Sequence, residues 1–267
     1  MQVRDIISSI HNPKVKRLLL LQQKSSERQK HDLFVVEGER ELKRCIQNGY
    51  EVESIFFCRD IICKGLETFM ADSDGVALYE VSKQVYEKIA YRGGTEGVIA
   101  EVKTRHYTLD SLKLSERPLI IVLESVEKPG NLGAVLRSAD ASGADAMIVC
   151  DPLTDLYNPN LIRSSVGGIF SVQCVACSSE ECINFLKSHQ IQILTAQLQD
   201  SELYYNTDMS RGTAIVMGTE STGLTQIWRD AADAHIRIPM LGQLDSLNVS
   251  VSASILLYEA VRQRQQG

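Results

Sequence analysis

The sequence predicts an α/β protein: a C-terminal, mostly parallel sheet with helices on both faces, preceded by a smaller α/β domain. From residue 119 onward, short apolar segments rich in β-branched residues alternate with helical segments. Apolar runs without alternating polar positions are typical of strands buried on both faces of a parallel sheet. The chain of 267 residues favours two domains. A polar stretch at 106–117 is predicted to link domains at 1–105 and 118–267.

The elements follow from periodicity and from turn residues. In the first domain, a basic helix with an apolar stripe is predicted after Pro13, over residues 14–31. Strands follow at 33–37, 52–57, 76–81 and 97–102, with helices at 39–47 and 82–90. In the second domain, strands are predicted at 119–123, 146–149, 171–176, 191–194, 214–217 and 235–238, with helices at 131–142, 159–167, 179–188, 224–231 and 249–264.

Composition indicates a soluble globular protein, with 44% hydrophobic and 23% charged residues. No apolar run approaches the roughly 18 residues that a membrane span needs, and the first residues lack the apolar core of a signal peptide. We therefore expect a cytoplasmic protein without a membrane segment. The seven cysteines form an odd, scattered set that suits reduced thiols in that compartment.

Charge is unevenly distributed along the chain. The net charge is −6, but residues 1–30 hold 7 basic against 2 acidic side chains. Local basic patches, rather than total charge, attract phosphates. The N-terminal helix, with Lys14 and Arg17, and the basic face that includes Arg40 are therefore candidates for RNA binding. A solvated basic helix surface explains the same pattern.

Cys174 and Cys177 form a C-x-x-C pair, which could hold a metal or a redox disulfide. The pair lies in or next to a predicted strand, where residues three apart point to opposite faces. A second pair at zinc spacing is missing from the sequence. Buried free thiols are therefore the favoured interpretation, and no metal site is expected.

Loops that follow the carboxyl ends of parallel strands are where such sheets bind ligands. The first candidate, 127–133, contains a Pro-Gly turn before a helix that Asn131 is expected to cap. Arg137 lies six residues further on, and helical side chains lean toward the helix N-terminus. Its guanidinium could therefore reach the mouth of the sheet. A capped helix with a surface arginine is the alternative.

The second and third loops are also rich in glycine and polar side chains. In the second, 217–224, glycines permit close backbone approach to a ligand, and Glu220 supplies an acceptor. This loop lacks both the phosphate-binding Gly-Lys-Ser/Thr and the dinucleotide fingerprint, which disfavours ATP, NAD and a nucleotide-dependent oxidoreductase. The third loop, 238–250, brings Ser246 and Asn248 into the last helix. Asn248 as an ordinary helix cap is the alternative.

Together, the ordered motifs PGNLGAVLRSAD, MGTESTGL and IPMLGQLDSLNVSVSA resemble the SpoU (TrmH-like) family of RNA 2′-O-ribose methyltransferases in the SPOUT superfamily. The resemblance covers about 150 residues, from 119 to the C-terminus. The stretch FVVEGER, at 34–40, is similar to that family's substrate-binding domain, which resembles an RNA-binding ribosomal-protein fold. Glu127 and Lys128 depart from the acidic residue or Asn that many members have before Pro-Gly-Asn.

The resemblance implies a C-terminal trefoil knot that binds S-adenosylmethionine, mainly through main-chain groups. By position, Gly218, Ile238, Met240 and Leu247 match cofactor contacts. Arg137 is implied to be the central catalytic residue, and Asn131, Glu220, Ser246 and Asn248 complete the catalytic pocket.

Two roles for Arg137 remain open. It has been proposed as the base in this family, but guanidinium groups keep their proton in proteins. We therefore favour a role in holding a phosphate and stabilising developing alkoxide charge.

The resemblance also implies an RNA substrate, a homodimer packed through the knot, and Arg163 as an RNA contact. Ribosomal RNA is preferred to tRNA, because the N-terminal domain resembles that of rRNA-modifying relatives. A tRNA methyltransferase and a non-catalytic RNA-binding ribosome-assembly factor remain as alternatives. Arg163 as an ordinary surface residue is the alternative to an RNA contact.

Overall fold

The computed structural model describes residues 3–62, 75–91, 96–219 and 221–266. The chain forms two compact units. One comprises Met1–Arg105 together with Tyr157–Phe170, and the other comprises His106–Leu156 together with Ser171–Gly267.

The N-terminal unit is built on a mixed five-stranded sheet in the order β1-β4-β3-β5-β2. β1, β4 and β3 are parallel, while β5 is antiparallel to both β3 and β2. The first strand was not predicted from the sequence. The strands are β1 (Val3–Ile7), β2 (Leu33–Glu37), β3 (Val52–Phe57), β4 (Ala77–Val81) and β5 (Val98–Lys103), and the helices are α1 (Pro13–Gln23), α2 (Ser25–His31), α3 (Glu39–Gln47) and α4 (Lys83–Ile89).

The single helix predicted at 14–31 is wrong, because the structure contains two helices there. Asn12 caps α1 by accepting a hydrogen bond from the Lys14 N–H at 2.9 Å, and Pro13 occupies the first helical position. Lys24 then adopts an extended conformation, with φ −124° and ψ 121°, which ends α1 before α2 begins.

A segment from the second half of the sequence completes the N-terminal unit. It contains α6 (Pro159–Ser165) and the first three residues of the short α7 (Gly168–Ser171). The rings of Phe34 and Tyr157 stack with centroids 4.3 Å apart, and Phe170 lies 6.1 Å from Phe34. The Tyr157 hydroxyl donates to the Arg105 carbonyl oxygen at 2.7 Å. The compact units therefore differ from a linear division of the chain, and the functional domain boundaries stay a prediction.

The second unit is organised around a seven-stranded sheet in the order β10-β12-β9-β11-β6-β7-β8. Every pair in it is parallel, which confirms the predicted α/β fold with a mostly parallel sheet. The strands are β6 (Leu119–Glu124), β7 (Ala146–Cys150), β8 (Gln173–Cys177), β9 (Gln192–Ala196), β10 (Glu202–Leu203), β11 (Thr213–Met217) and β12 (Ala234–Arg237), and the helices are α5 (Pro129–Ser142), α8 (Ser179–Ser188), α9 (Gln226–Ala231) and α10 (Val249–Gln266).

Alternating residues of the central strands pack on opposite faces. Ile120 and Val122 of β6 share a core cluster with Trp228 of α9 and with α8 residues such as Leu186. The intervening Ile121 is equally buried and faces the opposite side. Residues of α10 contact β6 and β11, while α5 contacts β7. Because all strands are parallel, the loops after β6, β9, β11 and β12 emerge at one edge of the sheet.

Among the described residues, no helix is both long and apolar enough to cross a membrane.

Candidate functional site

An open cavity of about 370 Å³ lies at the carboxyl ends of β9, β11 and β12. This volume is within the range of small-molecule sites. Its lining includes all four predicted cofactor-binding residues, Gly218, Ile238, Met240 and Leu247, together with Ser246. The second and third loops therefore enclose one space, as the sequence predicted.

In the loop after β11, the backbone at residue 218 packs directly against the backbone at residues 223 and 224. A Cβ added to Gly218 would lie 2.6 Å from the Leu224 nitrogen and closer still to the Gly223 carbonyl group. The Gly223 N–H donates to the Thr219 carbonyl oxygen at 3.1 Å. The C-terminal end of this loop is held against β6, because the Thr225 N–H donates a hydrogen bond to the Glu124 carboxylate at 2.8 Å. Glycine at 218 is thus required by the fold of the loop.

Glu220, predicted to be catalytic, lies outside the described residues. Its role stays a prediction.

Two other predicted catalytic residues are in direct contact. The Asn248 Nδ2 donates to Asn131 Oδ1 at 3.2 Å. Asn248 also begins α10, since its Oδ1 accepts from the Ser250 N–H at 3.0 Å. Asn131 is not a helix cap, so that expectation is wrong. α5 begins at Pro129, with Lys128 at the capping position, because proline is favoured at the first helical position.

Arg137 is not among the described residues that line the cavity. It is exposed on α5, and its side chain forms no hydrogen bond or ion pair with any residue that the structure describes. The neighbouring Ser138 hydroxyl lies 2.6 Å from that of Ser254, which places Arg137 beside the contact between α5 and α10. The guanidinium therefore remains available to a ligand from solution.

Two cavity residues were missed by the sequence analysis. Gln197 follows β9 and Arg229 lies in α9, and both line the cavity. Gln197 Oε1 and Arg229 Nε are buried and have no hydrogen-bond partner among the described residues. Unpaired buried polar atoms are costly, so these two atoms stand out within the lining residues. Neither residue belongs to a motif that could have revealed it.

A second cavity of about 260 Å³ lies within the N-terminal unit. The predicted RNA-binding residues Arg40 and Arg163 both line it, although 123 positions separate them in the sequence. Glu41 shares the lining, and burial raises the pKa of its carboxyl group, with Glu96 adding to the effect and the two arginines opposing it. The structure thus brings these two predicted RNA contacts together.

Lys14 and Arg17, the other two predicted RNA contacts, form ion pairs with acidic residues of the N-terminal unit. Lys14 pairs with Asp5. Arg17 pairs with Glu53 at 2.9 Å and, through both Nε and Nη2, with the fully buried Glu101. Burial raises the pKa of Glu101, against hydrogen bonds from Arg17 and Ser54. Arg17 therefore has a structural partner, and its RNA contact stays a prediction.

The six described cysteines are free, and Cys177 is half-buried, whereas the sequence predicted a buried thiol there. Cys174 is buried, which raises the pKa of its thiol to about 12. The Sγ atom of Cys177 lies within 4.8 Å of those of Cys150 and Cys182. Hydrogen bonds from these two thiols lower the pKa of Cys177.

A sequence model of the SpoU rRNA Methylase family matches residues 118–258, slightly more than half of the chain. A second model, of an MRM3-like substrate binding domain, matches residues 12–100.

Full-length relatives extend this similarity. The chain is 28% identical to the 23S rRNA (guanosine(2553)-2′-O)-methyltransferase RlmP of Bacillus subtilis (strain 168) over 94% of this chain and 97% of that protein. A crystal structure of an RNA 2′-O ribose methyltransferase shares 40% identity with a TM-score of 0.86, covering 97% of this chain and 99% of that one.

An AdoMet-bound rRNA methyltransferase from Sinorhizobium meliloti shares 27% identity with a TM-score of 0.90, covering 98% of both chains. Taken with the motif order and with the cavity that the motifs enclose, these matches place the chain in the SpoU rRNA methylase family.

Proposed function

We propose that this chain is an S-adenosylmethionine-dependent methyltransferase that modifies a ribose 2′-oxygen of ribosomal RNA. One observation carries the proposal: the loops at 217–224 and 238–248, from two of the three family motifs, line a single cavity. The names of the relatives support rRNA as the substrate class.

The cavity suits the cofactor chemically. Its apolar lining, which includes Ile236, Ile238 and Leu247, offers a surface for an adenine ring. Gln197 and Arg229 add polar side chains to the lining of the cavity. When bound, S-adenosylmethionine supplies an electrophilic methyl group on a sulfonium centre. Gly218 lets the loop pack tightly on its own backbone at 223 and 224, which shapes this side of the cavity.

The protein's contribution to catalysis is alignment and charge stabilisation. We assign Arg137 to hold an RNA phosphate and to stabilise the developing alkoxide, since its exposed guanidinium offers a planar set of donors. Asn131 and Asn248 would fix the start of α5 relative to the start of α10 through their mutual hydrogen bond. Ser246 and Glu220 would complete the catalytic pocket. The proton leaves to solvent or to the RNA, because a guanidinium is a poor base.

The proposal includes further features implied by the family resemblance. These are a trefoil knot formed by the last strands and α10, a homodimer packed through this region, and a cytoplasmic location. Several exposed apolar side chains lie near the start of α10 and along it, and the proposed dimer would cover them. They are Leu241, Leu244, Leu247, Val251 and Tyr258.

The decisive experiment is transfer of a tritiated methyl group from S-adenosylmethionine to total RNA of a strain that lacks the gene. We expect label in the ribosomal fraction, located on a ribose. Label in tRNA alone would overturn the substrate class. Calorimetric titration with S-adenosylmethionine supplies the second readout. A protein that binds RNA but neither binds the cofactor nor transfers label would be a non-catalytic assembly factor.

A further inference from the structure

Three cysteines from two strands and one helix meet beside the C-terminal sheet. Cys150 ends β7 and Cys177 ends β8, and the register of the parallel ladder pairs them directly. Cys182 comes from the first turn of α8. The three Sγ atoms all lie within 4.8 Å of one another.

The surroundings favour a cation that has access from solvent. Cys150 and Cys182 are fully buried, whereas Cys177 is half-buried and gives the cluster an opening. Two exposed carboxylates, Asp151 and Glu181, directly adjoin cluster residues in the sequence. Asp151 is held by the Ser179 hydroxyl at 2.6 Å, and Glu181 by the backbone N–H of the helix cap, Ser178, at 2.8 Å. They contribute negative charge beside the thiols while remaining bound to other partners.

We propose that Cys150, Cys177 and Cys182 form a binding site for Zn²⁺, held by three thiolates with a fourth position open to water. Zinc–sulfur bonds of about 2.3 Å in tetrahedral geometry put ligand sulfurs about 3.8 Å apart. The thiols therefore need to approach by no more than about 1 Å. Binding releases the thiol protons to solvent.

Such a site has a structural consequence that follows from strand order. Among the strands that the structure describes, β8 pairs with β7 alone and so forms an edge of the sheet. One ion bound to all three cysteines ties this edge strand both to its neighbour and to α8. Because the ion binds the folded state, it raises the stability of the protein.

The test uses the full-length, reduced protein after removal of metal by a chelator. Zinc affinity is measured by competition with a chromogenic chelator, and Cd²⁺ serves as a second probe through thiolate-to-metal absorption. We expect one ion per chain and a higher melting temperature with zinc. Cys177→Ser and Cys182→Ala should each weaken zinc binding by at least about tenfold. Cys174→Ala, in the same strand but outside the cluster, should bind as the unaltered protein does.

A measurement on the unaltered protein is also needed, because a variant that folds poorly would lose zinc binding for that reason alone. Zinc should slow alkylation of Cys177 in the unaltered protein, followed by mass spectrometry. Equal zinc affinity in Cys177→Ser and the unaltered protein would overturn the proposal. So would an unchanged alkylation rate at Cys177 with saturating zinc.

Discussion

Asn248 joins the beginnings of two helices, because its Oδ1 accepts from the Ser250 N–H of α10 while its Nδ2 donates to Asn131 of α5. One side chain thus combines a helix cap with a contact between two motifs of the family. The two functions use different atoms and can be separated by substitution.

Asn248→Ala is expected to lower the free energy of unfolding by about 1 kcal/mol through loss of the cap and to abolish most methyl transfer. Asn248→Asp keeps an acceptor for the Ser250 N–H but removes the donor to Asn131. It should therefore retain stability and still lose activity. Urea unfolding and tritium transfer measure the two effects, and an active Asn248→Asp would exclude a functional role for the contact.

Gly218→Ala is expected to weaken S-adenosylmethionine binding by at least about tenfold, or about 1.4 kcal/mol. The added methyl group would collide with the backbone at 223 and 224, so the loop must move. Gly242→Ala is the matched control, since a Cβ there meets no described atom within 4 Å. Calorimetry should give unchanged affinity for Gly242→Ala, and equal affinities for both variants would refute the argument.

Arg17→Ala is expected to destabilise the protein by about 3–5 kcal/mol at neutral pH, because it leaves the buried Glu101 carboxylate without its cation. Lys16→Ala, one position away and exposed, should change stability by less than about 0.5 kcal/mol. Denaturant unfolding provides the comparison. A small effect of Arg17→Ala would free this residue for the RNA contact predicted from the sequence.

The loss of unfolding free energy caused by Arg17→Ala should also depend on pH. Burial raises the pKa of Glu101 in the folded state above its ordinary value of 4.5. Its favourable contribution is therefore complete below that ordinary value and is lost as pH rises through the folded pKa. Removing the cation should enlarge this loss. Unfolding experiments should find a smaller difference between Arg17→Ala and the unaltered protein at pH 5 than at pH 7, and a larger one would contradict the assignment.

Arg163→Ala should weaken RNA binding and reduce the slope of log affinity against log salt concentration by about one, as expected for a lost phosphate contact. Lys187→Ala removes an exposed charge in α8 and serves as the control. Filter binding over a salt series distinguishes the two. Equal slopes for both variants would leave Arg163 as an ordinary surface residue.

Arg137→Lys keeps the positive charge but removes the planar set of donors. We expect strongly reduced turnover with unchanged cofactor affinity, because Arg137 does not line the cofactor cavity. Near-normal turnover at neutral pH would show that a point charge is sufficient.

Sequence patterns predicted the parallel sheet and the shared cavity well, because both depend on local signals repeated along the chain. Apolar strands and glycine-rich turns can be recognised from local sequence, and parallel strands bring their carboxyl ends to one edge of the sheet. The start of α5 was misplaced because the N-cap preference of Asn131 was weighed above the position of Pro129. Gln197 and Arg229 could not be found, since their significance lies in missing partners, which only packing reveals.

The cysteines show the same limit. Spacing along the chain directed attention to Cys174 and Cys177, and the expectation of no metal site followed from that pair. The cluster of Cys150, Cys177 and Cys182 depends instead on strand register and on the placement of α8. The spacing of cysteines along the chain does not reveal which of them the strand register brings together.

The membership of Tyr157 and Phe170 in the N-terminal unit has a consequence for biosynthesis. When residue 105 leaves the ribosome, Phe34 still lacks both of these stacking partners. The first unit to be translated therefore completes its aromatic core only after β6 and β7 have also been made. Its final consolidation must wait for the synthesis of at least 65 further residues, up to position 170.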